Sequence, residues 1–333
     1  MLDAYSGVAV LLAALAAFVT TYVAIPLLAS WFRRRGIVGV DVHKLDRPKI
    51  PEMCGLSVIA GLVVAGLLSS QLLVGGSREI AAFLGTVLTA GSIGAMDDLK
   101  PLGSKLKPVL TGLAAVPILL LGTYNPHPVL PLVGTVRLTI IYPLLIPLAI
   151  AVPANAVNML DVFNGSMSGT LSIVSIALAL VLALSGDSLT ASLAIALGGS
   201  LIAFYLFNRY PARVFGGDTG SLAAGAAIGA IAVLGRIEAI AIVALAPYIM
   251  NAFYALASIG RLYERREIKS RPVRLRNDGM LEATAERGSP VTLARLILAE
   301  GPLREQQVVH VMIMLTAISS AFAVMAFFIP VGL

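Results

Sequence analysis

The sequence predicts an all-α, polytopic membrane protein of about ten transmembrane helices, and three observations carry that prediction. Hydrophobic residues make up 58% of the 333 and charged residues only 13%, with a mean hydropathy of +0.91; soluble domains run near a quarter charged. The apolar residues fall in stretches of roughly 18–25, the length that crosses a ~30 Å hydrocarbon core. The basic residues alternate by loop: 21 of the 24 lysines and arginines fall in loops that follow odd-numbered spans.

Along the chain, spans are expected at 7–32, 53–74, 79–96, 106–123, 138–157, 166–185, 189–207, 219–234, 238–259 and 307–330. The first run, Gly7 to Phe32, is too long for a signal-peptide core and no basic segment precedes it, so a retained helix is expected. Prolines inside the apolar runs (Pro117, Pro143, Pro147, Pro153, Pro247) are tolerable where neighbouring helices satisfy the freed carbonyls. No repeat of 20–50 residues is visible, which removes solenoids and propellers. Cys54, the single cysteine, can close no internal disulfide. The net charge of +6 reads as basic loops on one side, not as a nucleic-acid surface. The whole chain, 1–333, reads as one transmembrane catalytic domain, with 260–306 as a substrate-binding loop before the last span. The charge alternation puts the odd-exit loops in the cytoplasm and both termini outside. The expected location is the cell membrane of a prokaryote, or the endoplasmic reticulum of a eukaryote.

The acids sort with the bases, 14 of 18 on the cytoplasmic side. Four lie at helix ends: Asp97, Asp98, Asp161 and Asp218. A transporter would bury ionisable groups near the midplane; here the span interiors carry almost none. An active site at the cytoplasmic surface is the better expectation, and a lipid or nucleotide-sugar transporter is the alternative from another class.

Four constellations carry the chemistry. Asp97 and Asp98 end the third span, with Lys105 and Lys107 a short loop later. Helix neighbours diverge by about 100°, so one carboxylate can face a metal or substrate while the other caps or acts as a base. Asn155, Asn158 and Asp161 recur at three-residue spacing on one helix face. That face serves either helix–helix hydrogen bonding or Mg²⁺, which takes oxygen ligands and shares substrate phosphates. Asn208-Arg-Tyr-Pro-Ala-Arg213-Val-Phe215-Gly-Gly-Asp218-Thr219-Gly-Ser221 opens the eighth span. Asp218 or Thr219 could be a helix cap, and the bare helix start is an anion site. In the last loop, Arg271-Pro-Val-Arg274-Leu-Arg276-Asn-Asp-Gly279 reads as a small hairpin with its arginines on one face. A short helix is expected to start at Ser289-Pro290 and stop at Gly301-Pro302, with Leu293, Leu296 and Ile297 as an apolar stripe against the membrane. Oxygen ligands, lysines and arginine forks at one membrane surface suit phosphoryl transfer between a soluble and a lipid substrate.

At these motifs the sequence resembles the polyprenyl-phosphate N-acetylhexosamine-1-phosphate transferases (glycosyltransferase family 4), over nearly the whole chain. It is most similar to the UDP-GlcNAc:dolichyl-phosphate GlcNAc-1-phosphate transferase branch, through Asp41-x-x-Lys44, Ile50-Pro51-Glu52-x-x-Gly55, Arg271 to Arg274, Asp278 to Glu282 and Gly301-Pro302. The resemblance implies transfer of N-acetylglucosamine-1-phosphate from UDP-GlcNAc to a polyisoprenyl or dolichyl phosphate, with release of UMP, as the first membrane step of N-glycosylation. It implies Mg²⁺, with Mn²⁺ able to substitute, and partners limited to those substrates, membrane lipid and a second copy of the chain. Carried over by position, Asp218 and Asn158 would hold the metal, while Asp97, Asp98, Asp161 and Lys107 would be catalytic. Asp41, Lys44, Glu52, Asn164, Phe215, Arg271 and Arg274 would bind substrate, with Glu52, Asn164 and Phe215 lining the uridine site. Asp161 matches the bacterial cell-wall branch better, so UDP-MurNAc-pentapeptide or another UDP-N-acetylhexosamine is the alternative donor. The last loop lacks the family's histidine, reading Lys269-Ser270 there.

Overall fold

The computed structural model describes residues 4–73, 75–130, 132–260, 262, 270–286 and 288–329. Lys269 lies outside them. Helices dominate: α1 (Ala4–Arg34), α2 (Leu56–Leu72), α3 (Ser77–Leu99), α4 (Leu106–Leu113), α5 (Val116–Leu121), α6 (Ile141–Leu160), α7 (Ser166–Ser185), α8 (Ser188–Asn208), α9 (Gly217–Leu234), α10 (Glu238–Ala244), α11 (Ala246–Ile259), α12 (Leu293–Ile297) and α13 (Glu305–Phe327). Among the described residues, seven are long and apolar enough to cross a membrane, or eight if α10 and α11 count as one span; α2 and the α4–α5 stretch are shorter apolar helices.

Two expected spans are not continuous. The fourth breaks between α4 and α5, and the ninth bends by 71° between α10 and α11. Each break falls just before a proline, Pro117 and Pro247, which sits in the first turn of the following helix. Without an N–H, proline is accepted there and not in a helix interior. Pro147 and Pro153 stay inside α6.

Among the described residues, three short antiparallel strand pairs interrupt the all-α picture. β1 (Val38–Val40) pairs with β2 (Lys49–Pro51), β3 (Val129–Leu130) with β4 (Gly134–Thr135), and β5 (Val273–Leu275) with β6 (Leu281–Ala283). The last pair is the expected hairpin, closed by Gly279 at φ +78°. Its arginines do not share one face. Arg274 and Arg276 point outward, where Arg276 meets Asp278 at 3.1 Å and Glu282 at 3.8 Å. Arg271, just before the strand and of opposite parity, lines the main cavity. The short helix begins at Leu293, later than Ser289-Pro290, because Thr292 caps it by accepting from the Arg295 N–H. Leu293 and Ile297 pack on the protein core, leaving only Leu296 of the stripe exposed.

α9 is the hub of the bundle, nearly all of it buried. α3 and α9 meet backbone to backbone at Gly94, where a Cβ would lie 2.3 Å from the Asp218 carbonyl oxygen. α2 meets α9 in the same way at Gly55, where a Cβ would lie 2.2 Å from Gly220 Cα. These contacts bring the end of α3 and the starts of α2 and α9 to one point.

Candidate active site

Asp98, at the end of α3, caps the start of α9. Its carboxylate accepts the N–H of Asp218 at 2.7 Å, the N–H of Thr219 at 3.0 Å and the Thr219 hydroxyl at 2.6 Å. Neither Asp218 nor Thr219 is the cap; a carboxylate from another helix takes that place and meets the positive end of the α9 dipole. Gly217, at φ +67°, leaves room for it, since a Cβ there would lie 2.5 Å from Asp98 Oδ2.

Asp97, next along the same helix, points elsewhere. Its Oδ1 accepts the Leu102 N–H at 2.6 Å and its Oδ2 accepts from Lys107 at 3.2 Å. Lys107 Nζ also donates to Asp218 and, at 3.2 Å, to Asn158 Oδ1. Asn158 Nδ2 donates to Asp218 Oδ1 at 2.7 Å and Ser221 Oγ at 2.8 Å. The ends of α3, α4, α6 and α9 therefore converge on one lysine. With all groups ionised, three carboxylates against one ammonium leave a charge of −2. Asn155, on the same face of α6, serves the helix-to-helix role, donating to Thr111 Oγ1 of α4 at 2.8 Å.

Among the described residues no three His, Cys, Asp or Glu side chains form a metal cage. Mg²⁺ seldom needs one, because it keeps waters and takes one or two carboxylates plus substrate phosphates. The hard oxygens of Asp218 and Asn158, and the surplus of two negative charges, fit such an ion.

A second cluster lies beside the first. Asp41, after β1, accepts Asn164 Nδ2 at 2.9 Å and Lys44 Nζ at 3.3 Å. Lys44 also pairs with Glu305, whose other oxygen accepts the Asn164 N–H at 2.8 Å, and its Nζ lies 4.1 Å from the Tyr210 ring centroid. Glu52 and Phe215 are set by a backbone ladder: the Phe215 N–H donates to Pro51 O at 2.8 Å and the Cys54 N–H to Phe215 O at 3.0 Å. Gly39 packs against both, a Cβ there falling 3.1 Å from the Phe215 ring and 3.3 Å from Glu52 Cδ.

Both clusters border one cavity of about 1210 Å³. It is lined by Asp41, Glu52, Asp97, Asp98, Lys107, Asn158, Asp161, Asn164, Phe215, Asp218 and Arg271, which covers eleven of the thirteen expected site residues. Lys44 is turned behind the wall, and Arg274 lies on the outer face of its hairpin. Asp161 follows the last residue of α6 and accepts from Ser166 Oγ at 3.4 Å. On one side the wall becomes apolar between α4, α6 and α11, at Val109, Leu148, Val152, Phe253 and Leu256.

Sequence reasoning missed Glu305 and Asn251. Glu305 looks like an ordinary acid in the first turn of the last helix, yet it is 4% exposed. Asn251, in α11, accepts the Leu293 N–H at 2.9 Å and donates to Met159 O at 3.4 Å, clipping the last loop onto the bundle. A polar residue in an apolar helix was the available signal for the second.

Comparison with known proteins identifies the family. The model of glycosyl transferase family 4 matches residues 80–236, which hold the whole Lys107 centre. A Methanocaldococcus jannaschii protein named "Putative glycosyltransferase" is 34% identical over 82% of this chain and 82% of its own. A Saccharolobus solfataricus protein named "Putative UDP-N-acetylglucosamine--dolichyl-phosphate N-acetylglucosaminephosphotransferase" is 30% identical over 96% of each chain. The phospho-N-acetylmuramoyl-pentapeptide-transferase of Shouchella clausii is 32% identical over 67% of this chain and 73% of its own. The chain belongs to glycosyl transferase family 4.

Proposed function

We propose that this protein transfers N-acetylglucosamine-1-phosphate from UDP-GlcNAc to a polyisoprenyl phosphate, dolichyl phosphate in the first instance, at the cytoplasmic face of a ten-span bundle. The observation that carries the reading is the single cavity: a lysine–carboxylate centre and a loop cluster share it, and its wall turns apolar toward the helix surface. A nucleotide sugar suits the polar part and an isoprenoid chain the apolar part. The ten spans are reached if α2 and the α4–α5 stretch cross together with the eight longer ones.

In the net reaction an oxygen of the acceptor phosphate bonds to the β-phosphorus of UDP-GlcNAc. The bond from that phosphorus to the bridging oxygen breaks, and UMP leaves. Asp218 and Asn158 would hold Mg²⁺, which when bound neutralises phosphate charge on the leaving group. Lys107 and Arg271 bind pyrophosphate oxygens, the lysine as a point charge and the arginine as a fork. Phe215 offers its ring to the base, and Glu52 and Asn164 offer polar edges. Asp98 holds the α9 start in place, while Asp97 orients Lys107.

Purified protein with UDP-GlcNAc, a polyprenyl phosphate and Mg²⁺ should release UMP, and chelation should stop it. No UMP under these conditions with any UDP-N-acetylhexosamine would overturn the reading. UDP-MurNAc-pentapeptide is the second donor to try, because a relative named for that chemistry is 32% identical.

A further inference from the structure

The cluster behind the cavity wall holds Asn164 by both of its polar ends. Asp41 and Asn164 line the cavity, whereas Lys44, Tyr210 and Glu305 do not. Glu305 spends one oxygen on the Asn164 backbone N–H, at 2.8 Å, and the other on the Lys44 ammonium. Lys44 reaches on to Asp41, and Asp41 takes the Asn164 side-chain amide at 2.9 Å. Asp41, Lys44, Asn164 and Glu305 come from the first loop, the α6–α7 turn and the start of α13, and all four are nearly buried. Burying two carboxylates against one lysine is costly unless their oxygens are hydrogen-bonded, and here each of the four has a partner, the His43 N–H taking the second Asp41 oxygen at 3.2 Å.

The consequence is chemical. An ionised carboxylate only accepts hydrogen bonds, so the amide atom facing Asp41 is the NH₂ group. The Asn164 carbonyl oxygen is thereby turned the other way. Among the described residues no protein donor takes it.

Building on the nucleotide-sugar reading, we propose that Glu305 and Lys44 are positioning residues. Through Asp41 they lock the Asn164 amide with its carbonyl toward the cavity, so the site selects a base that presents a ring N–H, as uracil does. Cytosine, with a ring lone pair at that position, is rejected. A site built around a fixed acceptor discriminates by leaving it unpaired or facing another acceptor.

Isothermal titration of the full-length protein in detergent, with Mg²⁺ and either UDP or CDP, tests this. Wild type should bind UDP at least about tenfold tighter than CDP. Glu305→Gln keeps the size and the acceptor but drops the charge that holds Lys44, and the UDP-to-CDP ratio should fall toward one; Glu305→Ala should do the same. Asn164→Asp sets two carboxylates against each other and should lose UDP binding. Adding Asp41→Asn restores a donor–acceptor pair at unchanged total charge, and the double variant should recover both binding and preference. This swap keeps the assignment open to refutation even if the Glu305 variants fail to fold. A ratio unmoved in the Glu305 variants, or a double variant no better than Asn164→Asp, overturns the assignment. So does a wild type that binds both diphosphates equally. A wild type that binds neither overturns the nucleotide-sugar reading itself, and this assignment with it.

Discussion

Among the described residues the same motif occurs twice, a lysine held between two carboxylates beside an asparagine, and the two copies are set differently. Lys107 sits between Asp97 and Asp218 with Asn158, and Lys44 sits between Asp41 and Glu305 with Asn164. The Lys107 group carries a third carboxylate, Asp98, and has its lysine, carboxylates and asparagine all on the cavity; of the Lys44 group only Asp41 and Asn164 reach it, with Lys44 and Glu305 behind the wall. The first is assembled from helix ends locked by glycine contacts, the second from two loops and a helix start. Side-chain identity alone therefore does not tell the two groups apart. Surplus charge and access to the cavity do.

The comparison can be broken most severely at the packing that builds the first group. Gly94→Ala forces a methyl to within 2.3 Å of a backbone oxygen of α9, which a packed helix pair cannot give way to. A loss of about 3 kcal/mol is expected, read as a fall in melting temperature in detergent with activity lost alongside. A near-native melt would mean that the α3–α9 contact is looser than described.

Asp218→Ala should leave a folded protein with little turnover, since the proposed metal ligand and a lysine partner go together and several kcal/mol of transition-state stabilisation can go with them. Wild-type turnover at saturating Mg²⁺ would move the chemistry away from Lys107.

The two neighbouring aspartates separate support from reactivity within the first group. Asp98→Asn weakens a three-bond cap, and should lower stability by about 1–2 kcal/mol. Asp97→Asn should leave the melt nearly unchanged while turnover drops. Equal effects on both measurements from both variants would contradict the division.

Arg271→Lys keeps the charge and removes the fork. KM for UDP-GlcNAc should rise, with insertion and expression unchanged. Kinetics equal to wild type would assign the arginine to lipid headgroups instead, where charge is all that counts.

The smallest effect is expected at Gly39→Ala. The new methyl meets the edge of the Phe215 ring and the Glu52 carboxyl at 3.1 and 3.3 Å, side chains that can shift slightly. Stability should change by less than about 1 kcal/mol, and KM for the donor should rise a few-fold. An unchanged KM would place the donor away from Phe215.

The sequence by itself determined the membrane class, the positions of the apolar helices, the hairpin at Gly279 and the helix-end aspartates. These follow from hydropathy, spacing and turn chemistry, which act within a few residues of chain. The tertiary structure alone decided that Asp98 caps a helix 120 residues away while Asp97 faces a lysine, and that the Arg271 and Arg274 side chains part company. It alone paired Lys44 with Glu305, across 261 residues, and put Lys44 behind the wall of the cavity it was expected to line. The reason is that helix ends meet where backbones can touch, at Gly55 and Gly94. A contact made by the absence of a side chain leaves no mark on hydropathy, yet it sets which charges become neighbours.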